Sequence, residues 1–106
     1  MKVYVVVEMF LGEKAPNIKG VYKEKAKAEE IKDNYRFAFM SEQYLIQVQT
    51  KKKSIEVYVV YELLKLNVPK VLGVFDDENL AKEVAKDCED VDNLKKIISK
   101  GGFALN

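Results

Sequence analysis

The chain has 106 residues, the size of one ordinary domain, and can bury a core without disulfide staples. Apolar residues at 48% and charged residues at 33% exclude a disordered tail, and 18 basic against 17 acidic residues leave a net charge of +1, too little for a field that draws nucleic acid or an anionic membrane. Histidine is absent and Cys88 is the single cysteine, which excludes Ser-His-Asp and Cys-His catalysis and an intramolecular disulfide; the lone thiol fits a reducing cytosol, so a cytoplasmic protein is expected.

The first element is Val3 to Phe10. Its β-branched and aromatic residues predict a strand. The segment looks like a signal peptide, but Glu8 interrupts it and no small-residue cleavage site follows. No stretch reaches the roughly 18 to 20 apolar residues of a membrane span, so no membrane contact is expected. A turn at Pro16 leads into a short strand ending at Tyr22, with Gly20 inside it; a strand glycine marks a bulge or a close approach. Ala28, Ile31 and Tyr35 then form the apolar stripe of a helix. Residues 36–43 carry no clear signal, and Tyr44 to Gln49 predicts a third strand.

After Lys51-Lys52-Lys53-Ser54 the pattern returns. Val3-Tyr4-Val5-Val6 recurs as Val57-Tyr58-Val59-Val60, and Glu8 recurs as Glu62 at the same offset. Pro16, Gly20, Val21 and Tyr22 match Pro69, Gly73, Val74 and Phe75 at an offset one residue shorter, and Ala28, Glu30 and Ile31 match Ala81, Glu83 and Val84. Ordered matches of this kind are the mark of internal duplication. The second helix has a fuller stripe in Ala81, Val84, Ala85 and Cys88, and Asp76 or Asp77 can cap it; in the first, Lys23 stands where Asp76 does, which leaves a poorer cap. Val91, Leu94, Ile97 and Ile98 predict another helical stretch capped by Asp90 and stopped by Gly101-Gly102, before a short last strand at Phe103 to Leu105.

The expected fold is α+β. One domain, 1–106, holds a tandem duplication of ββα(β) units, 1–50 and 55–106, sharing one mainly antiparallel sheet with helices on one face. From the second strand onward the order contains β-α-β-β-α-β, the ferredoxin-like order; two ββαβ units side by side are the alternative.

Both long strands are apolar on both faces. Two or three helices cover one face of an antiparallel sheet, which leaves the other to a partner or to loops such as Arg36 to Gln43 folding over it. The expected protein-binding residues are therefore Tyr4, Val6, Phe10, Tyr58, Val60 and Leu64, with a protein or a second copy as the partner. The second reading is a nucleic-acid interface using Lys51, Lys52 and Lys53 with the sheet tyrosines. Against it stand the balanced charge, the missing aromatic consensus of RNA-binding sheets, and Glu8 and Glu62 on the tyrosine face. A third is an enzyme or small-ligand binder, which needs a concave pocket with converging polar groups. The acidic runs Asp76-Asp77-Glu78 and Glu89-Asp90-Asp92 lack the spacing of a calcium loop. Gly12, Gly20, Gly73 and Gly101-Gly102 fit no phosphate-cradling motif, and Cys88 reads as a buried structural thiol. No catalytic residue, metal or cofactor is assigned.

The runs Val57-Tyr58-Val59-Val60-Tyr61-Glu62, Leu72-Gly73-Val74-Phe75-Asp76 and Ala81 to Lys86 resemble a family of small uncharacterised domains of bacterial and phage or prophage proteins. The first half matches more loosely, with Gly20-Val21-Tyr22 in place of the Gly-Val-Phe element. The resemblance implies no activity. It implies a phage or mobile-element setting, in which small proteins act by binding and blocking host or defence proteins.

Overall fold

A computed structural model describes residues 1–9, 16–47, 56–63, 69–87 and 96–106. The chain order is β1 (Lys2–Glu8), β2 (Asn17–Tyr22), α1 (Lys25–Asp33), β3 (Ala38–Ile46), β4 (Glu56–Leu63), β5 (Pro69–Phe75), α2 (Glu78–Asp87) and β6 (Lys96–Ala104). The fold is α+β, with one mixed six-stranded sheet and two helices among the described residues.

The sheet order is β2-β1-β3-β5-β4-β6. β1 is central to the first half, antiparallel to β2 and β3; β4 is central to the second, antiparallel to β5 and β6. Three strands separate the helices, where the ferredoxin-like order has two, so the arrangement is two ββαβ units side by side. The units join at a short parallel seam, Leu45 opposite Val74 and Ile46 opposite Phe75.

The outer edges also meet. Val21 of β2 bridges Leu105 in parallel. The Lys23 amide donates to the Asn106 carbonyl at 2.7 Å, and the Asn106 amide to the Val21 carbonyl at 3.0 Å. The sheet therefore curls until its ends touch, as a twisted sheet can. One face becomes an interior, filled by Val3, Val5, Val7, Ile18, Val21 and Leu45 from the first half and Val57, Val59, Tyr61, Val71 and Val74 from the second. The helices pack outside. Val6, Tyr22 and Ala28 form the core under α1; Val60, Phe75 and Ala81 form the core under α2.

Local chemistry explains the elements. β1 and β4 each bury a run of three or more consecutive residues because one face meets the interior and the other a helix. Each carries a register shift opposite the glycine strand, between Val6 and Val7 and between Val60 and Tyr61. Such bulges bend strands and increase twist, which closure requires. Asp77 caps α2, accepting from the Asn79 amide at 3.3 Å, whereas Glu24 at the start of α1 makes no side-chain cap.

Two elements differ from the sequence expectation. Ile97 and Ile98 lie on a strand: β6 pairs with β4 from Leu63 to Glu56. Ile98 packs against the interior and Ile97 against the core under α2, so adjacent apolar residues are both partly buried, a pattern periodicity cannot distinguish from helix. Asp90, Val91 and Leu94 lie outside the described residues. The third strand begins at Ala38, well before Tyr44, and pairs with β1 throughout from Glu8 to Lys2.

Candidate interaction surface

Closure of the sheet decides the fate of the expected binding face. Val6 and Val60 are 0% exposed, sealed beneath α1 and α2. Tyr4 and Tyr58 are half-buried at the margins of the same clusters. The bare apolar sheet face is thus not formed at these positions. The expectation assumed an open sheet with one face to spare, but the spare face is the interior, and two helices cover the central part of the outside. Phe10 and Leu64 lie outside the described residues, as do Lys51, Lys52 and Lys53.

Burial holds the Tyr58 phenol above its usual range, with the carboxylates of Glu56, Glu78 and Asp77 adding to the effect. The Tyr4 hydroxyl donates to Glu42 Oε1 at 3.4 Å.

An exposed apolar surface does exist, at the far end of β3. A helix of nine residues spans roughly 13 Å, while nine strand residues span roughly 30 Å. α1 therefore covers Ala38 and Met40 on the outward face of β3 and runs out before Tyr44 and Ile46. Tyr44 is 67% exposed and Ile46 46% exposed. Met1, also exposed, lies beside them, its carbonyl accepting from the Leu45 amide at 2.9 Å. The neighbours are polar. Lys2 Nζ stands 5.8 Å from the centre of the Tyr44 ring and 3.5 Å from Glu42 Oε1. The Glu42 carboxylate first, and Tyr44 second, hold the Lys2 ammonium above its usual range. An aromatic and a branched aliphatic side chain with a charged border thus form a small exposed apolar patch. Phe37 is exposed too, but at the opposite end of β3, against Arg36.

The second half shows that the fold does not require this patch. Leu45 meets Val74 as Leu105 meets Val21, so Tyr44 and Ile46 correspond to Ala104 and Asn106. Sequence reasoning missed Tyr44 and Ile46 because their alternation is that of any half-buried strand; only the length of α1 against β3 singles them out.

Among the described residues no group of three acidic, histidine or cysteine side chains is placed to hold a metal. No described helix is long and apolar enough to cross a membrane. Comparison with known protein families, curated proteins and solved structures finds no match.

Proposed function

We propose that the chain is a non-catalytic protein-interaction module that contacts its partner through the outward end of β3, and that it serves as a phage- or mobile-element-encoded modulator of a host or defence protein. The observation that supports this is the Tyr44–Ile46 surface, held open where the corresponding Ala104 and Asn106 offer no comparable apolar area. The setting rests on the resemblance of its strand and helix motifs to phage and prophage domains. Lys2 and Glu42 supply charges of both signs at the border, which favours a protein over a polyanion.

The test is an affinity capture from the source cell with the parent chain, a Tyr44→Ser/Ile46→Ser variant and a Phe37→Ser control. Exposed positions of this kind change stability by within about 0.5 kcal/mol, so all three chains fold. A partner held stoichiometrically by the parent and the control, and lost at least about tenfold by the double variant, supports the reading. Equal capture by all three chains removes it.

A further inference from the structure

We infer that the two seams are interchangeable between molecules, so that a second copy of this chain is a binding partner: the first half of one copy closes on the second half of another. This is independent of the Tyr44–Ile46 surface.

Each half is complete except along two edges. α1 packs on β1, β2 and β3, and α2 on β4, β5 and β6. Within each half the strands pair over five to seven antiparallel positions. Between halves, pairing falls to Leu45–Val74 and Ile46–Phe75 at one seam and the single Val21–Leu105 bridge at the other, both parallel. Parallel pairs are the weaker kind. The Gln43 side chain supplements the first seam, its Nε2 donating to the Val71 carbonyl at 3.3 Å.

The seams obey one rule. The third strand of each half lies parallel to the second strand of the other: Ile46 accepts from the Asp76 amide at 3.1 Å, and Asn106 accepts from the Lys23 amide at 2.7 Å. An open first half therefore presents the two edges that an open second half needs, whichever chain carries it. The interior is shared in the same manner, so exchange returns Val3, Val5, Val7, Val57 and Val59 to one buried cluster. Exchange of identical elements is a low-cost route to a dimer, because every native contact is regained.

What favours the monomer is the connection, which raises the effective concentration of one half beside the other. β3 and β4 are not neighbours in the sheet: β5 lies between them. Deleting residues 48–54 leaves Gln47 and Ile55 to cross two inter-strand spacings of roughly 4.8 Å each around that strand. A joint that short, with β5 in the way, strains closure within one chain and favours closure between chains.

Two experiments test this. The 48–54 deletion is expected to run at twice the monomer mass with a cooperative unfolding transition. Separately, Val5→Asp and Val59→Asp each place a charge in the interior, one per half, and each chain alone is expected to lack a cooperative transition. Refolded together they can build one barrel from the two intact halves, which restores the transition at twice the mass. A face-to-face dimer through Tyr44 and Ile46 would restore nothing. Either positive result supports the exchange. A deletion chain that stays monomeric or unfolded, together with a mixture no better than its components, overturns it.

Discussion

The two halves share strand order, the bulge opposite the glycine strand and helix placement, and differ in a second register shift of β4 against β6, between Val57 and Val59, and in what they attach to that frame. Where the first half has Val7, the second has Tyr61; where the first has Tyr22 over Gly20, the second has Phe75 over Gly73; where the first ends β3 with Tyr44 and Ile46, the second ends β6 with Ala104 and Asn106. Positions that serve closure are alike: Val5 and Val59 are buried identically, as are Val21 and Val74. Positions that differ lie where the frame tolerates choice. The comparison separates residues the barrel needs from residues one half adds, and it places Tyr44 and Ile46 in the second group.

The largest expected effect tests the glycine–aromatic contacts. A Cβ at Gly20 would meet the Tyr22 hydroxyl oxygen at 2.6 Å and its ring at 2.8 Å, whereas at Gly73 the nearest Phe75 atom stands at 3.0 Å. Tyr22 is buried against Val6 and Ala28, so its ring cannot swing away freely. Gly20→Ala is expected to cost about 1–3 kcal/mol by overpacking. At Gly73 a shift of a few tenths of an ångström in Phe75 is offset by the roughly 0.4–1 kcal/mol that replacing glycine removes from unfolded-chain entropy, which leaves Gly73→Ala near neutral. Urea titration of both variants decides it. Equal losses would mean that the two contacts are equivalent and that the hydroxyl does not matter.

Next in size is Tyr61. Its ring belongs to the interior and is 2% exposed, but its hydroxyl has no hydrogen-bond partner among the described residues, and Val7 holds the corresponding place without one. Tyr61→Phe is expected to stabilise the chain by about 1 kcal/mol, seen as a higher denaturant midpoint with unchanged slope. The same residue shapes the alkaline limit. Burial raises the folded phenol above its ordinary value of 10.0, so the folded state holds its proton longer than the unfolded state. That contribution is complete below about pH 10 and is lost as pH rises through the folded value. Tyr22 and Tyr58 shift in the same direction. Stability should fall above about pH 10, and less steeply in Tyr61→Phe. A parent and variant with the same alkaline slope would remove Tyr61 from the account.

The strands β1, β2, β4 and β5 and both helices were legible in the sequence, because period, glycine and proline recur together from Val3 to Ile31 and from Val57 to Val84. The start of β3 was not. Ala38, Phe39 and Met40 have no β-branched residue among them, and pairing with Val6 to Glu8 makes them a strand. β6 is not legible because Ile97 and Ile98 are partly buried on opposite faces, which mimics one helical stripe. Closure was invisible for a physical reason: it rests on Val21–Leu105 and a few terminal amides, contacts between distant residues that leave no local pattern. Without closure the sheet has a spare face, and Tyr4, Val6, Tyr58 and Val60 look available. With it, the exposed apolar area on the outward face of β3 is at Tyr44 and Ile46.

The smallest effect concerns the helix starts. Asp77 accepts from the Asn79 amide, satisfying one of the free donors of the first turn of α2, while Glu24 stands in extended geometry before α1 and satisfies none. The backbone at Glu24, φ −107° and ψ 128°, is already that of a capping residue, so only the side chain is too long. Asp77→Ala should cost about 1 kcal/mol, and Glu24→Asp should return a few tenths to about 1 kcal/mol by giving α1 the cap that α2 has. Together the two changes exchange the capping states of the halves, with a net stability near that of the parent. Thermal melts of the two single variants and the double variant measure this directly. A Glu24→Asp variant no more stable than the parent would show that the ends of α1 are held by Ala28 packing under the helix and not by its first-turn amides, and that the halves differ in how their helices begin.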